Sequence, residues 1–341
     1  MSETTFNSLA LQIFAHQLRH NAPYARFCAS LGVGPDAMPA RWEDIPAVPV
    51  SAFKDATLTT FEPGTAELQF ETSGTTQRRA GVHFMENAAL YRASLLAAFD
   101  RAMLPDCARL RYLNVVPSSN EKPRSSLAYM LDVITSARGD GLGGWYVHGD
   151  QLAVDEFVHD THAAISDGIG VCITGTAFGL LNLLDALSAR NESFELPPRS
   201  RMMETGGFKG RTREIERRQF YRLLSERFGI EEPAITAEYG MTELSSQCYD
   251  SLESRSSAQR IKVSPPWLRS RVVDPVGKTI QGEQSGALVH VDLANRSSVL
   301  AIATDDLASA ARDGFLLHGR LESAGLRGCS LDAEDLWSSV R

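Results

Sequence analysis

What the chain does not contain narrows its class first. It has no run of about 18 or more uncharged apolar residues, so no membrane-spanning helix is expected. The opening residues Met1-Ser2-Glu3-Thr4-Thr5 lack a basic segment leading into an apolar stretch, which argues against a secretory leader. There is no Cys-x-x-Cys pair. The five cysteines, Cys28, Cys107, Cys172, Cys248 and Cys329, are odd in number and scattered, which fits neither a disulfide framework nor a structural zinc site. Reduced thiols and a cytoplasmic location are the expectation. The histidines show no ligand spacing, so no zinc site is expected from them either. Positive charge is not in excess: 34 Lys and Arg stand against 42 Asp and Glu, a net charge of −8. A surface of that sign repels phosphate backbones and anionic membranes, so nucleic acid is not an expected partner. No repeat or low-complexity tract interrupts a composition of 43% hydrophobic and 22% charged residues, that of a soluble globular protein.

What is present reads as alternating strand and helix. Apolar residues at helical spacing run from Leu9 through Ile13 and Leu18 to Phe27 and Leu31, predicting one or two helices interrupted at Pro23. The prolines hold Pro46-Ala47-Val48-Pro49-Val50 extended. A short strand is expected at 66–72, and a helix at 86–103 with Leu90, Leu95, Leu96 and Phe99 on its apolar side. Buried strands are expected at 110–116 and 171–176, the second leading into an apolar helix at 177–188. A strand at 199–207 ends in Glu204-Thr205-Gly206-Gly207, and a charged helix follows at 211–228. The alternation predicts an α/β fold with a sheet covered on both faces. From about residue 260, short segments such as Arg271-Val272-Val273 and Ala287-Leu288-Val289-His290-Val291 lie between Gly, Pro and Asp turns. They predict an antiparallel β subdomain.

Two constellations carry chemistry. In Thr72-Ser73-Gly74-Thr75-Thr76 the small residues admit a phosphate close to the backbone, and hydroxyls and N–H groups can surround its oxygens. Taken alone the run equally suits a solvated turn, and it lacks the Gly-Lys-Ser/Thr ending of a Walker A loop. The second is Ala237-Glu238-Tyr239-Gly240-Met241-Thr242-Glu243, with an aromatic to stack a purine, a glycine, a hydroxyl, and a carboxylate able to hold Mg²⁺. The alternative is a strand end followed by a helix with Thr242 at its N-cap. Cys28 and Cys172 read as packing residues. Cys248 suits either an acyl pocket or the core, and His83 either the phosphates or, more simply, the surface.

In this order the segments resemble the adenylate-forming superfamily of acyl-CoA synthetases, luciferases and peptide-synthetase adenylation domains. Thr304-Asp305-Asp306-Leu307 is similar to that superfamily's TGDL segment, whose aspartate binds the ribose hydroxyls. Asp313-Gly314-Phe315 and Gly319-Arg320 are similar to its next strand and ribose-contacting arginine. A closer resemblance, over most of the chain, is to the LuxE family of acyl-protein synthetases. It rests on Met203 to Gly210, on Tyr239 to Tyr249, and on Gly319-Arg320 with Arg327-Gly328-Cys329-Ser330-Leu331. The resemblance implies ATP and Mg²⁺ as cofactors, activation of a carboxylic acid (a fatty acid in that family) as acyl-AMP, and transfer to a cysteine near the C-terminus. Cys329 occupies that place. Arg327 favours its thiolate over a thiol of ordinary pKa, about 8.5, although a filler on an edge strand near Leu326 and Leu331 suits it too.

The expected site follows. Cys329, Lys209 and Glu243 are the catalytic candidates, with Glu243 also the Mg²⁺ ligand. Ser73, Gly74, Thr75, Thr76, Gly206, Gly207, Glu238, Tyr239, Gly240, Met241, Thr242, Asp306 and Arg320 are the nucleotide-binding candidates. The expected organisation is an α/β adenylation body over 1–260, a β subdomain over 261–320, and a short tail, 321–341, hinged at 323–328. The superfamily's C-terminal lysine domain is expected to be missing or vestigial. Arg78 and Arg79 stand where that superfamily has a lysine after the loop. With the C-terminal lysine absent, Arg78, Arg79, Lys209 and Mg²⁺ are the candidates to offset the phosphate charge, Lys209 being preferred. The partner is expected to be an acyl-accepting protein, either a reductase or a carrier protein. Transfer to an external thiol or amine, or nucleotide binding without chemistry, are the alternatives.

Overall fold

The computed structural model describes residues 1–72, 80–106, 109–207 and 215–321. The chain begins with helices α1 (Glu3–His20) and α2 (Ala22–Ser30). It continues through β1 (Val48–Pro49), α3 (Ala52–Asp55), β2 (Leu68–Glu71), β3 (Val82–Met85) and α4 (Ala88–Met103). Then come β4 (Leu110–Val115), α5 (Ser126–Arg138), β5 (Gly139–Trp145), β6 (Val147–His148), β7 (Gln151–Leu152) and α6 (Val154–Asp167). β8 (Val171–Thr176), α7 (Ala177–Ala189), β9 (Arg201–Thr205), α8 (Arg217–Phe228), β10 (Ile235–Tyr239) and β11 (Cys248–Asp250) follow. The last strands are β12 (Lys262–Val263), β13 (Leu268–Val273), β14 (Ser285–Asp292), β15 (Ala301–Ala311) and β16 (Gly314–Arg320).

Local chemistry sets several boundaries. The first helices break at Asn21 rather than at the expected Pro23: the Asn21 side chain accepts from the Tyr24 N–H, and Pro23 sits in the first turn of α2. A proline there forfeits no helical hydrogen bond. In α4, Leu95 and Phe99 are buried as expected, whereas Leu90 is 45% exposed and does not belong to the apolar side. α7 is capped by the Thr176 side chain, which accepts from the Gly179 N–H at 3.0 Å.

The chain divides into two compact units. One comprises residues 95–240 and 248–260. Its strands run in the order β11-β10-β9-β8-β4-β5, all neighbours parallel except β10 with β11. Leu113, Val115, Ile173, Leu180, Leu184, Phe157, Phe220 and Phe228 fill the core on one face of this sheet. On the other face Phe99 lies 6.2 Å from the Tyr112 ring and 6.4 Å from the Tyr249 ring. Both faces are therefore covered, as a parallel sheet requires.

The other unit comprises residues 1–94, 241–247 and those from 261 onward. Its strands β13-β14-β15-β16-β12 form the expected antiparallel run, joined by β1, which pairs parallel with β15. β2 and β3 form a separate antiparallel pair. Phe6, Phe14, Tyr24 and Phe27 of the first two helices bury against Val48, Val291, Leu300 and Ile302. Side chains of this size each contribute roughly 1.5–3 kcal/mol on burial. Among the described residues no helix is long and apolar enough to cross a membrane.

Candidate active site

In the parallel unit, register gathers the expected residues at one edge of the sheet. Thr176 pairs with Thr205, and Thr205 with Glu238, so β8, β9 and β10 end at the same level. Ligands of α/β sheets bind beyond these carboxyl ends of the strands. The Thr205 hydroxyl donates to Glu238 Oε2, fixing the side chains of neighbouring strands. Gly206 follows with φ 78°, the left-handed region that a β-carbon disfavours. A Cβ built on Gly206 or Gly207 would meet nothing within 4 Å, so both present open backbone. Tyr239 is 9% exposed and ends β10, and Gly240 is exposed. No helix follows Tyr239, so Thr242 caps none; the chain turns instead.

That turn belongs to the antiparallel unit, where buried polar groups hold it. The Leu244 N–H donates to the Met241 carbonyl at 3.1 Å, closing the turn. Asn295 Nδ2 donates to the Glu243 carbonyl at 2.7 Å, and Asp292 accepts from the Ser245 N–H at 3.0 Å and the Ser246 hydroxyl at 2.8 Å. His83 donates from Nδ1 to the Thr242 carbonyl at 2.8 Å. The expectation of a surface His83 is wrong: the ring is 2% exposed, and burial pushes its pKa down to about 4. A β3 strand with the sequence Val-His-Phe-Met places alternate residues on opposite faces. Alternation alone would have turned Val82 and Phe84 inward, whereas His83 and Met85 form the buried face, so no local signal marked the histidine as buried.

Met241 and Thr242 are half-buried, while Glu243 is 6% exposed. Burial pushes the Glu243 carboxyl up to about 7 against the nearby charges of Lys54 and Arg320, with Asp305 adding to the rise. Lys54, on α3, is a cation the sequence reading missed. Asp306 and Arg320 are register partners across β15 and β16. Side chains so opposed have Cβ atoms about 4.5–5.5 Å apart. A bulge between Leu307 and Ala308 displaces the register beside them, opposite Gly319 with φ 115°. The structure thus brings Glu243, Arg320 and Asp306 into one neighbourhood, and Thr205, Glu238 and Gly206 into another. Ser73, Gly74, Thr75, Thr76, Arg78, Arg79, Lys209 and Cys329 lie outside the described residues.

Cys28, Cys172 and Cys248 are all buried free thiols. Cys28 is pushed up to about 12 by burial, which makes it an inert packing group. Cys248 stands opposite Tyr239 on β11. Among the described residues no group of three or more His, Cys, Asp or Glu side chains forms a metal cage. The donor set at Glu243, a single buried carboxylate, fits a Mg²⁺ ion that takes its other ligands from substrate phosphates and water.

Comparison with known proteins agrees with this architecture. A family model described as acyl-protein synthetase, LuxE, matches residues 1–335. The chain is 22% identical over 338 residues to the long-chain-fatty-acid–luciferin-component ligase of Vibrio harveyi, covering 96% of this chain and 86% of that protein. Among solved structures, it is similar to an open conformation of 2-hydroxyisobutyryl-CoA ligase in complex with 2-HIB-AMP and CoA. The TM-score is 0.70 at 14% identity, over 96% of this chain and 76% of that one. It is also similar to ATP-bound MatB from Rhodopseudomonas palustris, with a TM-score of 0.52 at 15% identity over 76% and 49% of the two chains. These likenesses establish the fold of adenylate-forming enzymes.

Proposed function

The chain belongs to the LuxE family of acyl-protein synthetases, and from that premise we propose that it joins a fatty acid to a protein thiol in two ATP-dependent half-reactions. In the first, the carboxylate oxygen of the acid attacks the α-phosphorus of ATP, and pyrophosphate leaves. In the second, the thiolate of Cys329 attacks the acyl carbon, the bond to the phosphate oxygen breaks, and AMP leaves. The thioester is then delivered to a partner protein.

The buried Glu243 carboxylate carries the reading. It is held on a hydrogen-bonded turn, with Lys54 and Arg320 close enough to shift its titration. Glu243 would hold a Mg²⁺ ion there, which when bound would supply charge neutralisation at the phosphates. Lys54 and Lys209 are the lysines that would share this work. In the antiparallel unit, Asp306 hydrogen-bonds the ribose hydroxyls and Arg320 contacts the ribose, while the Met241-Thr242 backbone lies along the phosphates. In the parallel unit, Tyr239 stacks on the adenine, Gly206, Gly207 and Gly240 leave room for the nucleotide against the backbone, and Glu238 orients Thr205. Ser73, Gly74, Thr75 and Thr76 cradle phosphate oxygens.

The test uses the full chain with Mg-ATP and tetradecanoic acid. A hydroxylamine-sensitive acyl adduct should appear on Cys329 by mass spectrometry. Cys329→Ser should lose the adduct and retain acid-dependent exchange of labelled pyrophosphate into ATP. An adduct that persists in Cys329→Ser would place the acceptor elsewhere, and absent exchange in the unaltered chain would remove the adenylation step itself.

A further inference from the structure

The parallel unit holds a concave feature at the edge of the sheet away from Thr205 and Tyr239. A pocket of about 420 Å³ opens beside the loop leading into β9, the turn after α8 and residue Arg255. Pockets of roughly 300–1,000 Å³ are the usual size for small-molecule sites. β9 begins at Arg201, which lines the pocket, and ends at Thr205. Four residue steps at about 3.3 Å therefore separate it from the nucleotide-side loops by roughly 13 Å.

Its charge is uneven. Three arginines, Arg199, Arg201 and Arg255, line it against a single carboxylate, Glu231. Arg201 is already neutralised, since its guanidinium meets Asp106 at 3.0 and 3.3 Å and also donates to the Met103 carbonyl. Arg199 is exposed and has no carboxylate partner among the described residues. Arg255 is the unusual member. It is 7% exposed, Nη2 donates to the Ala102 carbonyl at 2.8 Å, and Nε has no hydrogen-bond partner among the described residues. No carboxylate pairs with it there. Burial presses its pKa down to about 10 against the opposing pull of the Asp250 carboxylate, with Arg260 and Arg201 adding to the fall. A buried cation held by carbonyl groups and offset by no direct ion pair is costly, and it leaves this lining with an excess of positive charge. Leu196, Pro197, Pro198 and Ile230 supply an apolar wall beside these charges.

We propose that this pocket binds a small organic anion, its phosphate or carboxylate oxygens meeting Arg255 and Arg199 and its apolar body lying against the proline-rich wall. The guanidinium fork matches either oxyanion. The site is independent of the adenylation reading and shares none of its residues.

Calorimetric titration of the full chain with hexyl phosphate, hexanoate and inorganic phosphate tests it, each with ATP present to fill the nucleotide site. Saturable binding of a hexyl anion is expected, about tenfold tighter than inorganic phosphate because of the apolar wall. The tighter of hexyl phosphate and hexanoate identifies the source of the oxyanion. Arg255→Met should weaken that binding by about tenfold or more, and Arg199→Ala by about threefold. Arg199→Glu, at an exposed position that does not threaten folding, should abolish it. No saturable binding with ATP present, or equal affinity in Arg199→Glu and the unaltered chain, overturns the proposal.

Discussion

At Gly206 a single backbone angle carries a conformational demand. Its φ of 78° is reached without strain only by glycine, and the absence of any atom within 4 Å of a built Cβ separates conformational from steric cost. Gly206→Ala should therefore lower stability by about 1 kcal/mol, the price of placing an L residue in the left-handed region. Urea denaturation should show a lower midpoint with an unchanged slope. The Glu243 turn makes the opposite case, where partners rather than backbone angles matter. Asn295→Ala removes the donor to the Glu243 carbonyl and the partner of the Ser245 hydroxyl, both buried. A loss of about 1–3 kcal/mol is expected from those orphaned groups. If the pyrophosphate exchange of folded Asn295→Ala matched that of the unaltered chain, the turn would not be what positions Glu243.

Among elements, β14 shows how closely strands are set. A Cβ on Gly286 would lie 2.2 Å from the Val273 carbonyl oxygen of β13, a contact with backbone that no rotamer relieves. Gly286→Ala should part β13 from β14 locally and cost about 1–3 kcal/mol, read as a fall in thermal midpoint. β15 illustrates what sequence pattern conceals. Its eleven residues contain Thr304-Asp305-Asp306, a polar interruption that reads as a turn. The Thr304 side chain instead bonds the Leu288 carbonyl at 2.9 Å and accepts from the Asp306 N–H at 3.1 Å, keeping the strand continuous. Apolar strands such as β4 and β8 were legible because burial on both faces leaves an unbroken apolar run.

For the whole molecule, pH dependence sets two buried imidazoles against two buried carboxyls. Burial raises Glu243 to about 7 and Asp292 to about 6, so the folded chain takes up protons there as pH falls, which stabilises it and opposes the histidines. Burial pushes His83 down to about 4 and His290 to about 3, both below the ordinary 6.5. Below pH 6.5 the unfolded chain's imidazoles bind protons that the folded chain's refuse, so their contribution to stability falls as pH falls. The loss begins near 6.5 and continues until the folded pKa values are reached, near 4 and 3. Each histidine contributes a slope of at most about 1.4 kcal/mol per pH unit. Between pH 7 and pH 5 the urea midpoint of His290→Asn should therefore move upward relative to that of the unaltered chain, because the variant loses one imidazole's contribution and keeps the opposing carboxyls. An equal change in both proteins would assign the dependence to other groups.

The sequence by itself determined the order of the motifs, the α/β alternation, the antiparallel run near the C-terminus and the family. Each of these is written in residue identity and short-range periodicity, which local backbone geometry reads directly. Only the tertiary structure decided that His83 is buried beneath Thr242, that Glu243 sits among Lys54, Asp305 and Arg320, and that Asp306 faces Arg320 across two strands. It also decided that Arg255 is enclosed with no direct carboxylate ion pair among the described residues. The reason is physical. Burial and pairing depend on groups far apart along the chain, such as His83 with Thr242 or Gln17 with Asn295. No pattern of neighbouring residues encodes which of them meet.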